Sequence, residues 1–387
     1  MIKIYLNKII ITAFLTLLLI PSVFAQVDLV DKFKIEQQVK EFMVKENVPA
    51  LAIGIIQQGK VVFTSGIGVR DRETKQTINA KTLFQIGSQS KVLTSIITLA
   101  LIEEGKLKLT DRVIELLPNV FPKDSLAEFK PLTIEHLLTH RTGLPNYPKN
   151  VARIDGNAFL GGYDEKRLLS ALQTIQLSFK VGEKWQYSNF NYAVLAYVLS
   201  KVTNTSYADL VKSYVADKYQ LSNTLVNLSE SQKNNQLALP YRKDDRQILT
   251  KPWDMGLLTP HGGIYSSIDD LAHLMVLQMQ AYTLFSKRGD TSPLVSTQIK
   301  YDTEFTQDGE KYLGLSYGLG MFEASDEFPL FSETVLFHGG DLDGYGCEYL
   351  FAPELGVGVI MLTSSGGGKF VNFARQMMTE LLEISVK

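Results

Sequence analysis

Segments with strand-type patterning lie near both ends of the chain, and a long helical region separates them. Near the start, "ALAIGIIQQGKVVFTSGIGVRD" predicts two strands around a tight turn at Gln58-Gly59. Near the end, "ETVLFHGG", "GCEYLFAPE" and "GVGVIMLTSS" are short β-type runs separated by Gly, Asp and Pro. Because isolated strands need partners, we predict one antiparallel sheet that joins the two ends, flanked by terminal helices: an α+β fold with an all-helical lobe.

The region between the strands predicts helices. A helix beginning at Ser88 carries Leu93, Ile96 and Ile97 on one face and is therefore expected to be a buried core helix. No repeat or linker divides the chain after its first 25 residues. We predict one domain over residues 26–387, with its sheet part at about 26–85 and 300–387 and its helical lobe at about 88–290.

The first 25 residues have the pattern of a secretory signal peptide. "MIKIYLNKIIITAFLTLLLIPSVFAQ" has two lysines, an apolar run and small residues before a cleavage point expected after Ala25. The apolar run is shorter than the roughly 20 residues of a spanning helix. We therefore expect export, to a periplasm or out of the cell, with no membrane span after cleavage.

Charge and cysteine content exclude some classes of function. The formal net charge is −2 and no basic stripe occurs, so nucleic acid is not an expected partner. The one cysteine, Cys347, cannot form an internal disulfide, and it lies in a predicted strand. We interpret it as a packed side chain rather than a nucleophile.

Ser88 and Lys91 form an S-x-x-K pattern at the start of the core helix. Residues i and i+3 share a helix face, so the amine can reach the hydroxyl and accept its proton. The backbone N–H of Ser88, at a helix start, can also hold a developing oxyanion. A capping serine followed by a surface lysine would have the same pattern, so this motif alone does not decide.

Two further patterns lie downstream. In "KWQYSNFNY", Tyr187 and Asn189 precede an apolar helix; a tyrosine whose phenolate is favoured by a lysine ammonium could shuttle a proton, and the asparagine could hold a substrate amide. A loop tyrosine and a capping asparagine are the alternative. His338 opens H-x-G after an apolar strand, and its glycines would let a substrate lie close to the strand edge. We prefer it over the competing His261, which no strand precedes.

The order S-x-x-K, Y-x-N, H-x-G resembles the serine β-lactamase and penicillin-binding-protein superfamily. Within it, the likeness is greatest to the class C β-lactamase, D,D-carboxypeptidase and D-aminopeptidase family, over nearly all of the chain after the leader. The stretches "LTIEHLLTHRTGLP" and "GGIYSSIDDLAHLM" also look like family landmarks. The resemblance implies a β-lactamase/transpeptidase-like fold, with an antiparallel sheet and an all-helical lobe.

The resemblance also implies a role for each residue of the three motifs. Ser88 would be the acylated nucleophile, Lys91 its base or the group that tunes one, and Tyr187 the general acid and base. His338 would lend electrostatic support where many relatives have lysine, and Asn189 would orient the substrate. No metal or cofactor is expected.

The third motif departs from the family pattern. The positions that usually carry hydroxyl groups for a substrate carboxylate are here Gly339 and Asp341, beside Gly340. The Asp341 N–H would complete the oxyanion hole, while its side chain would either repel a carboxylate or point away. We therefore expect a serine hydrolase of esters, amides or peptides, of D-amino-acid peptidase or esterase type, acting on small molecules or peptides such as peptidoglycan fragments. A true β-lactamase or D,D-carboxypeptidase, and an inactive peptidoglycan-binding relative, remain alternatives.

His136 and His140 are four residues apart in "HLLTH", a spacing that also occurs in helical zinc sites. The glutamate of the H-E-x-x-H pattern is replaced by Leu137, and no further Cys/His cluster completes a site. We expect packing and loop hydrogen bonds for these two rings.

Overall fold

The computed structural model describes residues 31–151, 153–154, 158–159, 161–307 and 310–385. The predicted leader lies outside these residues. The helices among them are α1 Lys32–Lys45, α2 Ser90–Glu103, α3 Val113–Leu116, α4 Leu126–Phe129, α5 Ile134–Leu138, α6 Glu165–Gln173, α7 Asn189–Thr203, α8 Tyr207–Val211, α9 Glu230–Asn235, α10 Ile268–Arg288 and α11 Gly368–Ser385. Short 3-10 segments occur at Gly87–Gln89 and Gly256–His261, and a π-helical segment at Lys212–Asp217.

The strands divide into one large sheet and three two-stranded pairs. They are β1 Ala50–Gln57, β2 Lys60–Gly68, β3 Phe84–Gln85, β4 Arg153–Ile154, β5 Ala158–Phe159, β6 Tyr265–Ser266, β7 Tyr301–Asp302, β8 Thr306–Gln307, β9 Glu310–Lys311, β10 Leu315–Tyr317, β11 Phe322–Ala324, β12 Val335–Leu342, β13 Tyr345–Ala352 and β14 Val357–Thr363. The large sheet has the order β2-β1-β14-β13-β12-β11-β10-β7, with antiparallel neighbours throughout.

This sheet joins the two ends of the chain, as the strand pattern predicts. The central contact is β1 against β14, which pairs Leu51 with Thr363 and Ile56 with Gly358. The predicted turn is also confirmed, because Gln58 and Gly59 both have positive φ, as a two-residue hairpin requires. The predicted α+β class is therefore confirmed.

Both faces of the sheet are covered. Alternate residues of the central strands, such as Ile53 and Met361, pack with α1 and α11 in one apolar cluster. Their neighbours, such as Ala52 and Ile360, face α10 and the helical lobe in the other cluster. Burial on both sides explains why these strands read as continuous apolar runs rather than alternating ones. Within the described residues, no helix combines the length and apolarity needed to cross a bilayer.

β12 leaves part of its outer edge without a strand neighbour. Its pairing with β11 ends at Phe337, whereas its pairing with β13 continues to Leu342. The 3-10 segment Gly87–Gln89 packs against this free part of β12. The start of α2 is thereby held against a strand edge, which is where the sequence motifs meet.

Gly340→Ala tests this close approach. A Cβ at Gly340 would collide with the carbonyl oxygen of Ile86 and lie 2.9 Å from the nitrogen of Ser88. Since both are backbone atoms, we expect a loss of about 1–3 kcal/mol in the free energy of unfolding, measured by urea denaturation. Gly368→Ala is the control, because no heavy atom lies within 4 Å of a Cβ there. Equal stability of the two variants would contradict the proposed packing.

Candidate active site

Ser88 lies in the 3-10 segment Gly87–Gln89, just before α2 begins at Ser90, whereas the sequence predicts that the α-helix itself begins at Ser88. Gly87 explains the difference, because its φ of 54° allows a sharp turn against β12. A Cβ at Gly87 would lie 2.9 Å from the Cα of Gly340. Ser88 remains partly exposed, so its hydroxyl is accessible from solvent.

Lys91 is fully buried, at 0% exposure, in the first turn of α2. Its Nζ lies 3.1 Å from Oγ of Ser88, and 2.7 Å from both Oδ1 of Asn189 and the carbonyl oxygen of His261. Three separate chain segments therefore meet at this amine: the start of α2, the start of α7 and the 3-10 segment ending at His261. The predicted proximity of Ser88 and Lys91 is present.

The surroundings of Lys91 favour the neutral amine. Burial holds the pKa of Lys91 well below its ordinary value, and no carboxylate among the described residues offsets that shift. The oxygens of Asn189 and His261 can only accept hydrogen bonds, so they take the two N–H groups of a neutral amine. The lone pair is then left for the Ser88 hydroxyl, which is the geometry of a general base beside a nucleophile.

Tyr187 joins this pair, but its protonation differs from the prediction. Lys91 Nζ lies 4.9 Å from the centroid of the Tyr187 ring. Burial raises the pKa of Tyr187, and a side-chain hydrogen bond with Ser88 opposes the rise only in part. The expectation that a lysine ammonium favours the phenolate is therefore wrong for this state, because both groups are buried and each favours its neutral form.

Asn189 is already engaged within the protein. Its Oδ1 accepts from Lys91, and its Nδ2 donates to Oδ1 of Asn146 at 2.9 Å. The same Asn146 oxygen accepts from the backbone N–H of Asn189 at 3.1 Å. These contacts make Asn189 a positioning residue for Lys91; its orientation of a substrate stays a prediction.

His338 lies in β12 and is buried, at 2% exposure. Its Nδ1 lies 2.7 Å from the carbonyl oxygen of Gly339 and its Nε2 3.3 Å from the Tyr317 hydroxyl. Burial, with Lys91 as a secondary cause, lowers the pKa of His338 to about 3. A neutral imidazole carries no net charge, so the support that His338 is expected to give in place of a lysine stays a prediction.

The glycines of β12 are explained by packing on both faces. A Cβ at Gly339 would collide with Oε1 of Glu348, and one at Gly340 would collide with the turn that carries Ser88. The sequence suggests room for a substrate as their purpose. At Gly340 the clashing atoms belong to the backbone, so close packing requires glycine there, whereas at Gly339 the Glu348 side chain could move aside; contact of either glycine with a substrate stays a prediction.

The N–H groups of Ser88 and Asp341 lie in the same crevice. The Asp341 nitrogen is 3.2 Å from the position of a Cβ on Gly87, the residue before Ser88. Asp341 opposes Gly346, one step from the β12–β13 turn at residues 343–344. The pair next to this two-residue turn, Leu342 and Tyr345, is hydrogen-bonded, and the following pair, Asp341 and Gly346, is not. The Asp341 N–H therefore points away from β13, toward the free edge.

The side chain of Asp341 is partly exposed and has two partners within the protein. Its Oδ2 accepts from Lys243 Nζ at 3.0 Å, and its Oδ1 accepts from the Gly367 N–H at 2.9 Å. The sequence leaves open whether this carboxylate faces a substrate or points away. In the structure it lies at the rim, paired with a cation that the sequence analysis did not identify.

His261 and His140 are site residues that the sequence analysis did not assign. The carbonyl of His261 holds Lys91, although its motif was set aside in favour of His338. The ring of His140 lies 4.4 Å from the Tyr187 ring, and its Nδ1 accepts from the Ser188 N–H at 3.2 Å. Burial, with Lys91 as a secondary cause, lowers the pKa of both imidazoles. Both residues lie in or beside the two stretches identified as family landmarks.

The helical zinc spacing of His136 and His140 does not form. α5 ends at Leu138, and His140 has a φ of 59°, so the two rings do not share a helix face. His136 instead contacts Thr133 through Nδ1 at 2.8 Å, within the N-terminal cap of α5.

Comparison with known proteins gives the same fold and related sequences. The family model described as Beta-lactamase matches residues 35–382. Protein flp of Staphylococcus aureus is 24% identical over 355 residues, which cover 90% of this chain and 66% of flp. Unguisins hydrolase ungD of Aspergillus violaceofuscus is 25% identical over 351 residues, which cover 85% of this chain and 60% of ungD. The chain thus spans just under two thirds of the length of these curated relatives.

Three solved structures share the fold. The octameric penicillin-binding protein homologue from Pyrococcus abyssi has a TM-score of 0.75 and 24% identity, covering 92% of this chain and 78% of that one. The D-alanine carboxypeptidase AmpC from Burkholderia cenocepacia has a TM-score of 0.71 and 19% identity, covering 90% of this chain and 98% of that one. The class C beta lactamase from Rhodobacter sphaeroides has a TM-score of 0.72 and 19% identity, covering 90% of this chain and 99% of that one.

Lys91→Met tests the burial of a neutral amine. Because burial lowers the pKa of Lys91 in the folded chain, the unfolded chain binds more protons between that pKa and the ordinary lysine value of 10.5. The contribution of Lys91 to the free energy of unfolding therefore rises with pH, by up to about 1.4 kcal/mol per pH unit. Urea denaturation at about pH 7 and about pH 9 should show a larger gain for wild type than for Lys91→Met. An equal rise in the free energy of unfolding for the two proteins would contradict a neutral Lys91 amine. Lys212 is an exposed lysine, so Lys212→Met controls for the loss of a lysine in general.

Proposed function

The chain belongs to the Beta-lactamase family of serine hydrolases, and from that premise we propose that it hydrolyses esters or amides through an acyl-enzyme on Ser88. The observation that carries the proposal is the contact of a buried, uncompensated lysine amine with an accessible serine hydroxyl, at 3.1 Å. A buried lysine with no carboxylate partner is costly for a fold, and at such a site it favours a role as base.

In the proposed acylation step, the Oγ of Ser88 attacks the substrate carbonyl carbon and its proton passes to the lone pair of Lys91. The N–H groups of Ser88 and Asp341 stabilise the oxyanion. The bond from the carbonyl carbon to the leaving oxygen or nitrogen then breaks, and the leaving atom receives a proton from Tyr187. The Lys91 ammonium then gives its extra proton to the Tyr187 phenolate oxygen, beside the Ser88 oxygen, so that both groups are neutral again.

Deacylation reverses these roles with water in place of the leaving group. The neutral amine of Lys91 accepts a proton from water, which attacks the ester carbonyl, and Lys91 passes that proton to the Ser88 oxygen as the bond to the acyl carbon breaks and the acid product leaves. The raised pKa of Tyr187 and the lowered pKa of Lys91 suit this exchange, because neither group has to carry a charge between turnovers.

Substrates without a carboxylate beside the scissile bond fit the site best. Asp341 is an acid at the rim in place of a hydroxyl donor, and D-amino-acid peptides, amides or esters are the proposed classes. A true β-lactamase or D,D-carboxypeptidase is the alternative, since solved proteins with those activities share the fold. A penicillin and a chromogenic cephalosporin in the substrate panel decide between them.

Ser88→Ala tests the acyl-enzyme. Wild type treated with a fluorophosphonate should gain the mass of one adduct on the peptide that contains Ser88, and Ser88→Ala should gain none. Turnover of p-nitrophenyl acetate should fall by at least about 10³-fold in the same variant. An intact, folded wild type that forms no adduct and hydrolyses none of the esters, amides and β-lactams would instead support the inactive binding relative.

Tyr187→Phe separates proton delivery from nucleophilic attack. An anilide leaving group needs a proton, whereas p-nitrophenolate leaves without one. We therefore expect kcat/KM for a D-alanine anilide to fall by about 10²–10⁴, and that for p-nitrophenyl acetate to fall much less. Equal losses for the two substrates would contradict the assignment of Tyr187 as the acid for the leaving group.

We also propose that the protein is exported, on the evidence of the leader sequence alone. Expression in a bacterial host followed by fractionation and N-terminal sequencing should yield a chain beginning at Gln26 outside the cytoplasm. A chain that retains Met1 in the cytoplasmic fraction would contradict export.

A further inference from the structure

An ion pair lies at the rim of the candidate active site. Oδ2 of Asp341 accepts from Nζ of Lys243 at 3.0 Å, while Oδ1 is fixed by the Gly367 N–H at 2.9 Å. The two charged side chains are 43% and 44% exposed, so a substrate can reach either of them. An exposed pair of this kind contributes little to stability, which leaves its position to be explained in another way.

The pair is next to the position of the reacting carbonyl. Asp341 contributes its own N–H to the proposed oxyanion hole, so its carboxylate lies within one short side chain of that hole. The groups deeper in the site, Lys91 and His338, favour neutral forms because they are buried. Two further acids are nearby and buried: Asp343, whose Oδ1 accepts from the backbone N–H of Lys243 at 3.3 Å, and Glu348 behind Gly339. Lys243 and Asp341 are therefore exposed charges beside the proposed oxyanion hole.

We propose that Lys243 and Asp341 form a charge selector that determines which substrates the serine accepts. In the intact pair each charge neutralises the other, and the site favours substrates that are uncharged next to the scissile bond. A substrate carboxylate must displace Asp341 from Lys243, and a substrate ammonium must displace Lys243 from Asp341. The inference rests on the proposed function, since it defines the substrate class of the same site.

Three matched esters test the selector. Phenyl acetates that carry a meta carboxamide, a meta carboxylate or a meta aminomethyl group differ in the charge of the leaving group, and each kcat/KM is first divided by the rate constant of uncatalysed hydrolysis at the assay pH to correct for leaving-group reactivity. Wild type should have the highest kcat/KM for the carboxamide ester. Each value is divided by that of the carboxamide ester for the same variant, so that any general loss of activity cancels.

The two single variants should shift selectivity in opposite directions. Asp341→Asn keeps an oxygen that can accept from Gly367 but leaves Lys243 uncompensated, so the relative kcat/KM of the carboxylate ester should rise about tenfold. Lys243→Met keeps the apolar stem but leaves Asp341 uncompensated, so the relative kcat/KM of the aminomethyl ester should rise by a similar factor. Both shifts should shrink in high salt, since the pair is partly exposed.

A second exposed ion pair provides the control. Lys212 and Asp217 are in contact at 2.6 Å within the π-helical segment, away from the site. Lys212→Met and Asp217→Asn should leave the ester ratios at the wild-type values. Relative values for Asp341→Asn and Lys243→Met that stay within about twofold of wild type would overturn the charge selector, while Ser88-dependent turnover would still support the proposed function. Absence of Ser88-dependent turnover of all three esters would contradict the function and the selector together.

Discussion

The burial of one lysine amine is the constraint on which the site depends. Lys91 is placed inside the helical lobe with two acceptor oxygens at 2.7 Å and one hydroxyl at 3.1 Å. No carboxylate among the described residues compensates it, so burial favours the neutral amine. A neutral amine next to an accessible hydroxyl is a base that needs no activation by a further group.

The rest of the fold holds the partners of that amine in place. α2 is buried along almost its whole length, which fixes the axis from which Lys91 projects. Asn189 starts α7 and is itself fixed by Asn146, while the carbonyl of His261 ends a 3-10 segment. These three elements are distant in sequence, so the hydrogen bonds of Lys91 form only when the helical lobe is packed.

Charge is separated by depth in this site. Lys91, Tyr187, His140 and His338 all favour neutral forms because protein surrounds their titrating atoms. The charged groups Lys243 and Asp341 are at the rim, where water screens them. In the proposed function, proton exchange and substrate selection are thereby assigned to different residues.

Much of the fold and part of the site could be predicted from the sequence. The β-type runs at both ends and the turn at Gln58-Gly59 predict the antiparallel sheet because strand period and turn chemistry are local properties. The spacing of Ser88 and Lys91 predicts their contact for the same reason, since residues three apart in a helical turn are neighbours. Protonation could not be predicted in this way: whether Tyr187 and His338 are charged depends on burial, which is a property of the packed chain.

Tertiary structure alone decided which distant groups meet at Lys91 and Asp341. The carbonyl of His261, the amide of Asn146 and the amine of Lys243 carry no motif of their own, since a backbone carbonyl or a surface lysine looks the same anywhere in a sequence. Gly340 in β12 shows the same division: its type is visible in the sequence, but the fold brings in the backbone atoms that exclude a Cβ from it. Local order along the chain determined the elements and the order of the motifs, and the close packing of those elements determined the chemistry at their junction.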